Sequence, residues 1–161
     1  MILKYEIISS TSIIMFLFFM PLITLFALTH VKNVSAANKM YSAITTYPGD
    51  LYEWGNCTWW VSMRRAQIND PIPNSWGNAA TWSTRAVTQN YLVDHNPTVG
   101  SIMQISNVDH GLGHVAFVES VGLDGTWIIS EMNTLGLDIV DYKSEPSGSA
   151  INFNFIHDKI F

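Results

Sequence analysis

The chain contains one cysteine, Cys57, so no internal disulfide is possible. It follows Gly55-Asn56 and opens the run Cys57-Thr58-Trp59-Trp60-Val61-Ser62-Met63. An unpaired cysteine is either a small buried apolar residue or a nucleophile. If a helix starts here, its unsatisfied N–H groups and dipole are placed to stabilise a thiolate. Position alone leaves both readings open.

A nucleophile needs a base, and the base needs a group that orients it. The segment His114-Val-Ala-Phe-Val-Glu-Ser-Val121 is followed by Gly-Leu-Asp-Gly and then Thr126-Trp-Ile-Ile-Ser-Glu-Met-Asn133. With Gly122–Gly125 as the loop of a hairpin, Val121 faces Thr126, His114 faces Asn133 and Ala116 faces Glu131. Residues two apart in a strand share a face. His114, Glu131 and Asn133 therefore converge on one side, with His114 and Glu131 as diagonal neighbours within side-chain reach. Ala116 leaves them room. A slip of one residue would send the partners to opposite faces. The chemistry offered is acyl transfer: a Cys57 thiolate, a His114 base, and Glu131 and Asn133 as polar partners. It needs no metal and no organic cofactor.

Those side chains require particular elements behind them. Asn56 is placed to cap a helix over Cys57–Gln67, in which Trp59, Met63 and Ala66 recur at helical spacing. Pro71 and Pro73 make a loop after it. A second helix is expected over Asn78–Gln89. From Val99 onward the pattern is that of strands, at Gly100–Ile105, His114–Val121, Thr126–Asn133, Leu137–Tyr142 and Ile151–Ile156. In the last of these, Ile151, Phe153 and Phe155 alternate with asparagines. Helices first and an antiparallel sheet afterwards describe an α+β domain, with N-terminal helices packed on the sheet.

Other candidates are weaker. His110 and His114 have the spacing of a helical metal pair, but Gly111 and Gly113 argue against a helix there. His95 lies in a loop and His157 after the last strand. Without a Cys/His cluster no metal site is indicated; Asp50 and Glu53 are too few for a calcium loop. Asp124 reads as a turn residue. Trp59, Trp60 and Trp82 are expected to pack helices onto the sheet. Trp54 and Trp76 flank glycine and asparagine in loops, where an aromatic either anchors the loop or lines a substrate groove. Both are candidate substrate-binding residues, as is Asn56.

Of the 161 residues, 48% are hydrophobic and 13% charged, with a formal net charge of −5. That excludes a disordered acidic chain and a basic nucleic-acid binder. Ile13 to Leu28 is a run of sixteen uncharged residues. It is shorter than the roughly 20 needed to span a bilayer and close to the core of a secretory signal. Val34-Ser35-Ala36 or Ser35-Ala36-Ala37 would suit a signal peptidase. Residues 1–37 are thus a signal peptide or an uncleaved anchor, the one part expected to meet a membrane. Residues 38–49 are a short polar lead-in, and residues 50–161 form one domain expected to lie outside the cytoplasmic membrane as a monomer.

From about Asp50 to His157 the sequence resembles the CHAP family, the cysteine- and histidine-dependent amidohydrolase/peptidase domains, and most closely the staphylococcal secretory antigen type. The matching blocks include Gly55-Asn56-Cys57-Thr58-Trp59-Trp60, Trp76-Gly77-Asn78-Ala79, Gly113-His114-Val115-Ala116-Phe117-Val118-Glu119 and Ser130-Glu131-Met132-Asn133. The resemblance implies a papain-like fold and hydrolysis of an amide bond in bacterial peptidoglycan, by an amidase or an endopeptidase. It implies Cys57 as nucleophile, His114 as general base, Glu131 as orienting acid and Asn133 as a further polar partner. Asn56 stands where the family commonly has Gln, and Trp60 where Tyr is frequent. A side-chain oxyanion donor at position 56 would be one methylene shorter.

Overall fold

The computed structural model describes residues 49–160. The apolar run at 13–28 and the expected cleavage sites lie outside the described residues. In chain order the elements are α1 (Cys57–Gln67), a 3-10 turn (Ala79–Thr81) leading into α2 (Trp82–Thr88), β1 (Tyr91–Asp94) and β2 (Ile102–Ile105). After a 3-10 turn at Asp109–Gly111 come β3 (His114–Val121), β4 (Trp127–Met132), β5 (Val140–Glu145), a 3-10 segment (Ser147–Asn152) and β6 (Asn154–Lys159). All neighbouring strands are antiparallel, in the order β1-β6-β2-β3-β4-β5. The architecture is α+β, with the helix that begins at Cys57 laid on an antiparallel sheet, in the papain-like manner expected.

The limits of α1 and β3 agree with the expected ones. Asn56 has the extended backbone of a cap residue (φ −98°, ψ 161°), although its side chain does not bond the helix N–H groups. Elsewhere the bounds shift. The second helix begins as a 3-10 turn and stops at Thr88, because Asn90 takes the left-handed conformation (φ 65°) and sends the chain into β1, a strand the composition did not suggest. The fifth strand starts at Val140, since Asn133, Gly136 and Asp138 all have positive φ and hold 133–139 in a turn. Residues 147–152 are not strand. Pro146 leads into the 3-10 segment, Ile151 is exposed, and the strand begins only at Asn154. His157 therefore lies within β6, where its Nε2 bonds Asp94 Oδ1 at 2.9 Å.

The β3–β4 hairpin is built differently from the expected one and reaches the same register at the site. Its loop is closed by Gly122 N–H donating to Thr126 O, and Asp124 is indeed the turn residue, accepting from Thr126 N–H. Val121 pairs with Trp127 and Ser120 with Ile128, one residue off the expectation. A bulge at Glu119 then absorbs one residue, so that Val118 pairs with Ile129 and Phe117 with Ser130. From the bulge onward the pairing is the expected one.

The sheet is buried on both faces at its centre. One face carries the cluster Met103, Ala116, Val118, Trp127, Ile129 and Phe155, with Phe153 and Ala150 packed against it. The other receives α1: Arg64 lies over the Phe117 ring at 4.5 Å, and Trp60 Nε1–H donates to Ser130 Oγ at 2.9 Å. At the far end of the helix, buried Arg65 donates to Gly100 O, to the backbone and carboxylate of Asp70, and to Asp158 of β6. These bonds satisfy a guanidinium that would be costly to bury unpaired.

Candidate active site

Cys57 is the first residue of α1, where the first-turn N–H groups have no intrahelical partner. Gly55 positions this helix start. It has φ +87°, and a Cβ there would meet Asp138 Oδ1 at 2.4 Å, while Asp138 N–H donates to Gly55 O at 3.1 Å. The 133–139 turn is thus packed against the approach to Cys57. Gly113 does the same for the histidine. It has φ +77°, and a Cβ would lie 2.4 Å from Ala80 N and 2.9 Å from Ile105 O. Only glycine lets β3 begin so close to the Ala79–Thr81 turn.

His114 and Glu131 meet as the pairing requires. His114 Nε2 lies 2.8 Å from Glu131 Oε2, and the carboxylate is 5% exposed. Thr134 Oγ1 is 3.4 Å from the same nitrogen. Cys57 lines the same cleft as His114 and interacts with its imidazole. Since Nε2 is committed to Glu131, Nδ1 is the nitrogen left for the thiol. The electrostatics follow from these contacts. Burial disfavours the imidazolium, but hydrogen bonds and charge from Cys57 and Glu131 outweigh it and raise His114 from 6.5 to about 9. Burial likewise pushes the Glu131 carboxyl up, yet the His114 hydrogen bond and charge bring it below its ordinary value. Both shifts describe one ion pair.

Asn133 takes a different partner from the one the hairpin suggested. β4 ends at Met132, Asn133 turns into the left-handed region (φ 69°), and its Nδ2–H donates to Asn56 Oδ1 at 3.0 Å. It braces the residue before Cys57 rather than the imidazole. With that oxygen engaged, Asn56 Nδ2 and the Cys57 backbone N–H remain as donors on two residues that line the same cleft.

The group opens into a cleft of about 780 Å³ that takes in Cys57, His114, Glu131, Asn56 and Asn133. Tyr52, Asn74, Leu112, Ile129, Lys143 and Glu145 also line it. Neither loop tryptophan lines it. Trp76 is fully buried, edge-on to Trp82 and Tyr91 at centroid distances of 5.5 and 5.0 Å, with Nε1–H donating to Gln89 Oε1. It is a core residue and presents no surface to a substrate; its neighbours Gly77 and Asn78 line the cleft instead. Trp54 is half-exposed and packs on Trp59 at 4.1 Å. Thr134, Tyr52 and Lys143 were missed from sequence. Thr134 had a signal, as the residue next to Asn133; the other two had none.

The CHAP domain family matches residues 47–133, a stretch that holds Cys57, His114, Glu131 and Asn133. The chain belongs to the CHAP domain family. Among its relatives is the N-acetylmuramoyl-L-alanine amidase Sle1 of Staphylococcus haemolyticus, 43% identical over 125 residues that cover 76% of this chain and 37% of the relative. The Sle1 amidase of Staphylococcus aureus is 38% identical over 133 residues, 81% of this chain and 39% of the relative. A crystal structure of an N-acetylmuramoyl-L-alanine amidase from Staphylococcus aureus superposes with a TM-score of 0.61 at 35% identity, covering 65% of this chain and 31% of that one. This CHAP chain thus spans less than two-fifths of the length of each of these proteins.

Proposed function

We propose that this CHAP domain is a thiol hydrolase of bacterial peptidoglycan that cuts an amide bond in the wall peptides, with the N-acetylmuramoyl-L-alanine amidase reaction as the preferred one. The observation that carries the reading is the linked set Cys57–His114–Glu131 at a helix N-terminus in an open cleft. The names of the Sle1 relatives support the choice of amidase over endopeptidase.

Each step has a group to perform it. The Cys57 proton passes to His114 Nδ1, and the thiolate attacks the amide carbonyl. The Cys57 backbone N–H, with Asn56 Nδ2, faces the tetrahedral oxygen; one such donor is commonly worth about 3–4 kcal/mol. His114 returns the proton to the departing amine, leaving a thioester on Cys57. Water, deprotonated by His114, cleaves the thioester and regenerates the thiol. Glu131 fixes the ring so that Nδ1 faces the sulfur, and it stabilises the imidazolium.

Export through the N-terminal segment would bring the domain to its substrate. Among the described residues no helix is long and apolar enough to cross a membrane. The test is digestion of purified wall material by wild type and Cys57→Ser, with mass spectrometry of the muropeptides. New lactyl and L-alanine termini from wild type alone are expected. Equal digestion by a folded Cys57→Ser variant would remove the thiol mechanism, and termini within the stem would make the enzyme an endopeptidase.

A further inference from the structure

Behind the cleft, on the α1 side of the sheet, runs a polar chain that the reaction does not use. Trp60 Nε1–H donates to Ser130 Oγ at 2.9 Å, and Ser130 Oγ–H donates to Glu119 Oε1 at 2.6 Å. Arg64 grips the same carboxylate with two bonds, Nε to Oε1 at 3.0 Å and Nη2 to Oε2 at 2.6 Å. Arg64 is mostly buried, and its Nη1 also donates to Gln67. Trp60 and Arg64 are three and seven residues after Cys57, on the helix face that bears on the sheet. Ser130 is the residue next to Glu131, pointing to the opposite face. Glu119 is the bulged residue of β3.

The bulge decides which face Glu131 occupies. Were the pairing at the hairpin end, Ser120 with Ile128, to continue unbroken, Glu131 would fall opposite Phe117. It would then point towards α1 and away from His114. The extra residue at 119 corrects the count, pairs Phe117 with Ser130, and brings Glu131 alongside Ala116 on His114's face. A bulge leaves its residue without a ladder partner; here the side chain of that residue is clamped by Arg64 and Ser130.

We propose that Glu119 is a positioning residue of this site: its carboxylate staples the β3 bulge to α1 and β4, setting Glu131 on the face of His114 and the Cys57 end of the helix against both. The inference rests on the thiol-hydrolase reading but acts through geometry that can be measured without turnover. Two variants of the full chain test it, Glu119→Gln, which keeps shape and one acceptor, and Ser130→Ala, which leaves the Arg64 pair intact. Folding is checked by circular dichroism. Three quantities are then read: the His114 titration by NMR, the rate of Cys57 alkylation by iodoacetamide across pH, and kcat and KM on a soluble muropeptide.

In both variants the His114 titration should fall from about 9 towards 6.5, by about half a pH unit or more, as its contacts with Glu131 and Cys57 loosen. Alkylation near neutral pH should slow, and kcat should drop about tenfold with KM within about twofold. Loss of stability with an unchanged His114 titration and unchanged alkylation would make Glu119 a structural residue only and overturn the proposal. A wild-type chain that cleaves no muropeptide would refute the hydrolase reading, while the titration and alkylation would still decide the role of Glu119. Should Glu119→Gln fail to fold, Ser130→Ala decides alone.

Discussion

Replacing Glu131 with Gln keeps the size of the side chain and an oxygen for His114 Nε2–H, but removes the charge from a site that is 5% exposed. The rise of His114 from 6.5 to about 9 amounts to about 3.5 kcal/mol in favour of the imidazolium, at about 1.4 kcal/mol per pH unit. Burial opposes that rise, and Cys57 and Glu131 share in producing it. A hydrogen bond to a charged partner contributes about 1.5–3 kcal/mol and a neutral one about 0.5–1.5. The exchange should therefore cost the imidazolium about 1–1.5 kcal/mol, which lowers His114 by about one pH unit. The alkaline limb of kcat/KM, where the imidazolium is lost, should move down by the same amount. Cleavage of a soluble muropeptide across pH, with the His114 titration followed in parallel by NMR, reads both. A limb that stays in place or moves up would refute the view that Glu131 holds the proton on His114. Glu131→Gln should also retain part of its activity near neutral pH, where His114→Ala retains almost none.

Further expectations follow from particular contacts. Asn133→Ala frees Asn56 Oδ1 without touching the imidazole, so kcat should fall while the His114 titration stays put; a shifted titration would mean that Asn133 acts on the histidine. Gly113→Ala forces a Cβ against Ala80 N and Ile105 O at positive φ, and denaturant unfolding should show a loss of about 1–3 kcal/mol or more, with wild-type stability as the contrary result. Trp76→Phe should lower stability by about 1–3 kcal/mol through lost packing and the lost bond to Gln89, yet leave KM unchanged; a raised KM would return Trp76 to the substrate. Because His114 is raised above its unfolded value, its pairing adds stability in full below about pH 6.5 and gives it up as the pH rises through about 9. The stability gap between wild type and His114→Gln should accordingly narrow between those values, and a widening gap would contradict the assignment.

The helix that begins at Cys57 and the strand that begins at His114 are legible because both start at local signals: Asn56 before Cys57, and Gly113 before His114. The hairpin was legible only in part. The loop was misjudged by one residue and the bulge was not foreseen, yet the two errors cancel at the site and leave His114 beside Glu131. The adjacent polar residues Glu119 and Ser120 end the apolar run Val115–Val118, and that break is the one trace of the bulge. The loop tryptophans were opaque, because a tryptophan beside Gly and Asn has the same composition whether it faces a groove or, like Trp76, sits edge-on between two rings. Asn133 was found as a polar residue near the site, but its true partner depends on a left-handed turn at its own position. At the start of the expected strand Ile151–Ile156 the alternation imitates a strand, but the 3-10 segment Ser147–Asn152 puts Ile151 at the surface and the strand begins only at Asn154.

The place of β6 bears on how the molecule is made. This strand, the latest in the chain among the described ones, lies inside the sheet between β1 and β2, and Asp158 on it meets buried Arg65 of the nucleophile helix. A polypeptide emerging amino end first, from a ribosome or an export channel, has no finished sheet until residues 154–159 are released. Until then the edges of β1 and β2 stand open, and Met103 lacks Phe155 across from it. The Cys57–His114–Glu131 cluster, whose residues have all emerged by Asn133, therefore rests on a sheet that is finished only when β6 arrives.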